Sequence, residues 1–500
     1  MNALLRCKPI ADLIQESQAS EHKLSRTLGL WSLVAMGVGA VIGSGIFTLT
    51  GTAAAGVTMK YPSVLHAPVL DLLRFGPDAI STIGRPGAGP GVVLSFLLVA
   101  FACGFAALCY AELASMIPIA GSTYTYAYAT LGEIFAWILG WDLILEYAVS
   151  NMSVAVGFSG YFNDVLENLT GYRLPPEWSA PAFVGGGTTG AYFNLPALLI
   201  MVILTWLLVR GVRETARATN AMVIIKTLAI LAFVFGAASA IHPENWRPFT
   251  PNGMSGIISG AAIVFFAYIG FDSVSTAAEE CKNPKRDLPW GILLTLVACT
   301  LLYGAVSLVL TGVVPYTTLA NDEPVARALK DIGYNRLRIF VSVGALVGMW
   351  GSLLVFQYGQ ARIWFAMSRD KLLPPMFSRV HPKYRTPHIS TWIAGFVVGI
   401  PAGLWDIATF AELANIGTLA AFASVSAGVL ILRKRQPDTF RGFRVPLVPI
   451  IPWLSIAFCL ILMLGLPLQT WLTFFLWLAI GLVIYFGYSR TRSGLAKAAQ

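Results

Sequence analysis

Apolar runs long enough to cross a bilayer recur along the whole chain, and no other feature limits its fold as sharply. Read against their polar breaks, they give twelve candidate spans near 31–51, 91–114, 132–162, 194–209, 218–241, 255–278, 289–314, 339–367, 389–405, 408–432, 450–466 and 469–488. A hydrocarbon core about 30 Å thick takes ~20 helical residues to cross, and closed barrels aside, only helices satisfy their own backbone there. Of the 500 residues, 56% are hydrophobic and 12% charged, against about 25% charged in a soluble domain. The sequence therefore predicts an all-α polytopic membrane protein. Its polar N-terminal stretch, with no small-residue cleavage site after the first apolar run, is not a secretory signal pattern.

The formal net charge of +9 raises the question of nucleic acid, but the placement of the charges answers it. With the N-terminus inside, the inner segments collect Arg6, Lys8, Lys23 and Arg26, then Arg210 to Arg217, then Lys282 to Arg286. The clusters Arg369 to Arg385, Arg433 to Arg444 and Arg490 to Lys497 follow on the same side. This bias predicts cytoplasmic N- and C-termini and a multi-pass protein of a bacterial cell membrane, with lipid rather than nucleic acid as its partner. Cys103, Cys109, Cys299 and Cys459 lie in spans, and Cys7 and Cys281 face inward. With no cysteine in an outer loop, no disulfide-linked heavy chain is expected.

Catalysis is not suggested. The five histidines (22, 66, 242, 381, 388) all fall in loops or flanks, and no HExxH, GxSxG or Walker A pattern is present. No catalytic residues, metal or cofactor are expected. Neither a filter-like loop nor a ring of charges points to a channel.

Two spans have unusual interiors. The first reads "GVGAVIGSGIF" (37–47), and the sixth reads "FFAYIGFDSVSTAAEE" (265–280) with Gly270 and Asp272 near its middle. Glycine inside a helix costs up to ~1 kcal/mol relative to alanine. Close helix packing accounts for some of it, since Gly39 and Gly43 have small-xxx-small spacing. Interrupted spans in corresponding positions, however, mark a transporter's substrate site. An offset of five spans means that each unit crosses an odd number of times, so the second is inverted relative to the first. The division is 1–30, a cytoplasmic segment; 31–242, the first five-helix repeat; 255–432, the inverted second repeat; 433–488, peripheral helices 11 and 12; and 489–500, a cytoplasmic tail. This is the LeuT-like five-plus-five arrangement, with helices 1 and 6 discontinuous.

A break at mid-membrane frees backbone groups that need partners. The outer half of span 1 begins near Gly43-Ser44-Gly45 and offers free N–H groups at a positive dipole end, which suits a carboxylate. The outer half of span 6 ends near Phe266–Gly270 and offers C=O groups, which suit an ammonium. Together they match an α-amino acid.

These two motifs, with "CYAELASMIPIAGSTYTYAYATLGE" (109–133), "GWDLILEYAVS" (140–150) and "FAMSRDKLLP" (365–374), resemble the cationic amino acid transporter family of the amino acid–polyamine–organocation superfamily. The resemblance covers roughly residues 24–490. It implies that backbone around Ile42, Gly43, Ser44 and Gly45 holds the substrate carboxylate. It also implies that carbonyls of Phe266, Ala267 and Ile269 receive the amino group, with the Phe266 ring as a gate. Where the family has a short outer loop, this chain carries an insert over about 57–87, with Pro62, Pro68 and Pro77, expected to cap the outer mouth.

Ionisable residues inside spans are functional candidates by default. Lys226 stands eight residues past the inner end of span 5, ~12 Å deep at helical rise. It is read as a proton-coupling group, against the plainer alternative of a lysine snorkelling to the interface. In proton-driven relatives a fifth-span lysine fills the place of sodium, which the resemblance transfers to Lys226. Glu112, kept in the family motif, is either an anchor at the inner face or a second proton carrier. Asp142 and Glu146 share one face of span 3, and Glu146 is a candidate for attracting a cationic side chain or for a structural bond. Asp272 is expected to cap the inner half of span 6, with substrate contact the lesser reading. Met349 lines the side-chain pocket or packs in the core. The function expected is secondary active uptake of cationic or small neutral L-amino acids, driven by a proton gradient. The alternatives are an antiporter or facilitator, or a non-transporting amino-acid sensor on the same fold.

Overall fold

The computed structural model describes Cys7 and residues 28–57, 63–76, 85–117, 122–184, 187–211, 216–278, 281–384 and 386–492. The expected terminal segments thus lie almost wholly outside the described residues, as do Pro62 and Pro77 of the insert. Helices of at least six residues run in the order α1 (Leu30–Val41), α2 (Thr50–Ala55), α3 (Val69–Phe75), α4 (Val92–Met116), α5 (Ser122–Thr130) and α6 (Glu133–Thr170). Then come α7 (Leu195–Val209), α8 (Ala216–Ala237), α9 (Gly253–Val264), α10 (Pro284–Val313) and α11 (Pro324–Asp331). The series closes with α12 (Asn335–Arg369), α13 (His388–Ala402), α14 (Ile407–Arg435), α15 (Ile450–Leu464) and α16 (Leu468–Ile484).

Ten of the twelve apolar runs of the sequence each fall on one of these helices; the first is divided between α1 and α2, and the sixth passes beyond the end of α9. Among the described residues, seven helical stretches are long and apolar enough to cross a membrane, or eight if the bent pair α1–α2 is one span. The helices α7, α13 and α15 are apolar but have 15 residues each, about 22 Å at helical rise. The 38-residue α6 is not among the eight, because Glu146, Asn151 and several serines dilute its apolar run. Its length and that of α12, 35 residues, agree with the long third and eighth runs of the sequence.

Local chemistry sets several of the ends. Asn194 accepts the amide of Ala197 at 3.3 Å and caps α7, satisfying an orphan donor. Asp406 does the same for α14 through Ala408 and Thr409. Gly171, at φ 72°, closes α6 in the left-handed conformation that glycine adopts freely.

The long helices pack side by side: α6 along α12 and α14, α4 along α10, and α8 between α1 and α12. Large apolar side chains on the outside of the bundle, such as Leu472, Phe475, Leu476 and Val483 of α16, are exposed. A soluble monomer does not tolerate such a surface; lipid covers it. α16 is seated on α6 by Trp477 stacked on Trp141, ring centroids 4.5 Å apart.

Two short antiparallel pairs mark one end of the bundle. β1 (Gly56–Val57) pairs with β2 (Arg85–Pro86), and β3 (Phe183–Val184) with β4 (Gly187–Thr188). At this hairpin end the insert is stitched down. Leu466 accepts from the amide of Val69 at 3.1 Å, and Ala67 from that of Leu468 at 3.0 Å. The fully buried Arg85 pairs with Glu412 of α14 and reaches the carbonyls of Ser259 and Gly465, each at 3.4 Å. At the opposite end Leu28 and Cys281 form a parallel bridge, with the amide of Lys282 donating to Leu28 at 2.9 Å.

Candidate functional site

The first helix ends at Val41, two residues short of Gly43. After Val41 the backbone turns extended at Ile42 (ψ 99°), and helical geometry resumes from Gly45 as a π turn, Gly45–Leu49, leading into α2. The two pieces are bent by 46°. The amides of Gly43, Ser44 and Gly45 open the new segment and find no acceptor among the described residues. The Ser44 hydroxyl is buried and likewise without a partner.

The sixth run is interrupted as well. α9 gives way to a 3₁₀ turn, Phe265–Tyr268, then to extended Ile269 (ψ 132°) and Gly270 at φ 113°, before a single turn at Ser273–Thr276. Only glycine holds that φ without strain. The carbonyl of Phe266 accepts from the amide of Ile269 at 3.2 Å, and that of Ala267 from the Tyr303 hydroxyl at 2.8 Å. A carbonyl has two acceptor sites, so each keeps one open.

The breaks touch each other. A Cβ on Gly45 would lie 2.5 Å from Ala267 Cα, and one on Gly270 would lie 3.3 Å from the carbonyl carbon of Ala40. Tyr303 ties the two breaks, donating to Val41 O at 3.1 Å as well as to Ala267 O. Sequence reading missed this tyrosine, because nothing local distinguishes it from other aromatics in its span. Gly37 and Gly39 pack against Thr295 and Val223, which is the close-packing role.

Lys226 does not reach an interface. It is 1% exposed, and its Nζ donates to Ile42 O at 2.6 Å and to Gly39 O. These are the carbonyls that the end of α1 leaves open. Among the described residues it has no ion pair, and Gly348 is small enough to let its stem pass, a Cβ there meeting Lys226 Cβ at 3.2 Å.

The remaining candidates separate into two places. Asp142, Glu146 and Asp272 are buried together, with Glu146 close enough to both aspartates for their charges to oppose it and bonded to Thr418. Neither carboxylate oxygen of Asp142 has a partner among the described residues, and Gly417 leaves it room. Asp272 stands at the N-cap position of Ser273–Thr276 but makes no cap bond there. That corrects the capping expectation: the amides of Ser273, Val274 and Ser275 already donate to Gly270 O, Phe271 O and Asp272 O, at 3.0, 3.3 and 2.8 Å. Met349 is fully buried in the core.

Glu112 lies elsewhere, at the end opposite the hairpins. Its carboxylate receives Arg433 in bidentate fashion (2.9 and 2.7 Å), Arg441 Nε at 3.1 Å and the amide of Val445 at 2.7 Å. Four donors fill it, as an anchor between α4 and the chain beyond α14 requires. The basic cluster after α14 therefore has a structural job besides its bearing on orientation.

An apolar helical bundle whose two interrupted helices touch, with a buried lysine pinned to the first, has the build of a membrane carrier, and the comparisons agree. The profile of the amino acid permease family matches residues 28–487. Over 495 residues the chain is 47% identical to the branched-chain amino acid permease BcaP of Bacillus subtilis, covering 99% of each. It is 44% identical to the methylthioribose transporter of the same organism over 497 residues, 99% of this chain and all of that one. It is 37% identical to the chloroplastic cationic amino acid transporter 9 of Arabidopsis thaliana, over 83% of this chain and 68% of the relative. The chain belongs to the amino acid permease family: it is a transporter, not an enzyme.

Proposed function

We propose that the chain takes up an α-amino acid together with protons across a bacterial cell membrane, with both termini cytoplasmic and the hairpin end outward. The observation that carries this reading is the pinning of Lys226 to Gly39 O and Ile42 O at the first break. An ammonium there holds the carbonyls that shape the carboxylate site. Loss of its proton removes its charge and one of its donors from that strand, so proton binding and substrate geometry are linked. The free amides of Gly43–Gly45 take the carboxylate, and the spare acceptor sites of Phe266, Ala267 and Ile269 take the ammonium. Phe266 is the gate. Glu112 has no share in the proton route, because its four donors occupy it.

The architecture proposed is the LeuT-like one: twelve spans, the three short apolar helices and α6 included, with two inverted five-helix repeats over 31–242 and 255–432. Rocking of the broken helices gives alternating access. The substrate proposed is a neutral aliphatic amino acid, following the relatives named as branched-chain permeases. Cationic substrates have the buried Glu146 and Asp272 in their favour.

Proteoliposomes test this directly. Leucine, valine or isoleucine uptake should rise with an inward proton gradient, collapse with a protonophore and ignore sodium. Uptake unchanged by the protonophore would sink the coupling. Uptake of methylthioribose in place of every amino acid would sink the zwitterion site.

A further inference from the structure

A second cleft, of about 280 Å³, opens at the hairpin end, away from the helix breaks. That volume is at the small end of the range for ligand pockets. Its floor is the start of α14, with Asp406 and Glu412, and its walls come from the insert, β3 and the link between α15 and α16. Phe183 and Trp405 form one wall as a tilted ring pair, centroids 5.7 Å apart. Backbone pairing holds that wall in place, the amide of Phe183 donating to Leu404 O at 2.8 Å.

Two carboxylates, Asp406 and Glu412, line this cleft. The imidazole of His66, its Nδ1 3.0 Å from the Ser63 hydroxyl, is the one basic side chain in the lining among the described residues, and no lysine or arginine joins it there. Arg85 sits behind Glu412, fully buried and outside the lining. Both carboxylates keep acceptor capacity. A carboxylate has about four acceptor sites, and Asp406 uses three of them, for the Thr409 hydroxyl and two amides. Glu412 has Arg85 on one oxygen and the Thr470 hydroxyl, at 3.3 Å, on the other. Burial lifts the Asp406 carboxyl above its ordinary value, a cost that an arriving cation relieves. Two aromatic faces beside a carboxylate attract an ammonium group; a carboxylate or phosphate is repelled there.

We propose that this cleft is a second binding site, separate from the helix breaks, for a small organic cation bearing a primary ammonium group. The ammonium contacts Asp406 and Glu412, and its alkyl portion lies along Phe183 and Trp405.

Calorimetric titration of the full chain in lipid nanodiscs with pentan-1-amine, empty nanodiscs subtracted, tests the assignment. Binding should be saturable, and weaker by at least about tenfold in Asp406→Asn, since a hydrogen bond to a charged group is lost. Asparagine still caps a helix, so that variant keeps the start of α14; Trp405→Leu, which leaves both carboxylates in place, should weaken binding independently. Excess leucine, which the breaks take under the proposed function on which this arm rests, should leave amine binding unchanged. Absence of binding to the parent, equal binding by both cleft variants, or equal binding of pentan-1-ol overturns the proposal. Displacement of the amine by excess leucine overturns it too, by placing the amine at the breaks.

Discussion

Alanine at position 45 puts a methyl group where the two broken helices touch. Its Cβ would lie 2.5 Å from Ala267 Cα, against the 3.4 Å at which ordinary contact begins, a shortfall of 0.9 Å. The atom opposing it is backbone, so no rotamer change relieves the clash and the breaks must part by about that distance. Overpacking of a filled core costs about 1–3 kcal/mol. A zwitterion held at both breaks then keeps only one end in register. The loss of a hydrogen bond to a charged group, about 1.5–3 kcal/mol, corresponds to about 10–150-fold in affinity. Gly45→Ala should therefore raise KM for uptake by at least about tenfold and lower the melting temperature in detergent. Gly43→Ala is the control. Its Cβ meets Ser352 Oγ at 2.9 Å, a side chain that can turn away, and Ser352→Ala in the same chain should restore whatever is lost. Gly45→Ala with the parent's KM and melting temperature would refute the close contact of the breaks, and with it the two-ended site.

Three further outcomes are expected. Lys226→Ala should abolish uptake or leave exchange without proton flux, read with a pH-sensitive dye inside proteoliposomes; unchanged proton dependence would reduce the lysine to a structural plug. Glu112→Ala leaves Arg441 and Arg433 facing each other without their shared acceptor, a loss of about 3–5 kcal/mol for a broken buried pair. It should show as a large drop in melting temperature, with Glu112→Gln milder and its proton stoichiometry intact. Asp322, beside the outer half of the first helix through the Thr48 hydroxyl on its carbonyl (3.0 Å), is raised to about 7, first by burial and then by the charges of Glu323 and Asp406. The folded state therefore favours its protonated form, and the penalty grows as pH rises from about 4 to about 7. Asp322→Asn should melt higher than the parent at pH 8, and the gap should close on acidification; a gap that widens at low pH reverses the sign.

The parts of this molecule that chain order makes visible were the breaks and the lysine. "GVGAVIGSGIF" and Gly270 betray themselves because glycine inside an apolar span is costly, and Lys226 because a charge there is costlier. The partners were out of reach. Glu112 and its donors at Arg433, Arg441 and Val445 are more than 300 residues apart, and Arg85 and Glu412 differ by 327 positions. No periodicity links such pairs, so a saturated anchor and a free proton carrier looked alike in sequence. Asp272 failed differently: its position fits a cap, but backbone carbonyls of the turn already hold the amides of Ser273, Val274 and Ser275.

The bridge between Leu28 and Cys281 has a mechanical meaning. It joins the chain leading into α1 to the chain leaving the turn after Gly270, at the far end from the hairpins. These two half-helices are thus clasped at the tip and in contact at the breaks. Under the rocking proposed above, the two would swing as one leaf hinged at the glycine-bearing breaks, and a single leaf cannot stand half open, with one half-helix in and the other out. Two backbone strands lying side by side would then suppress leakage through a partly opened gate.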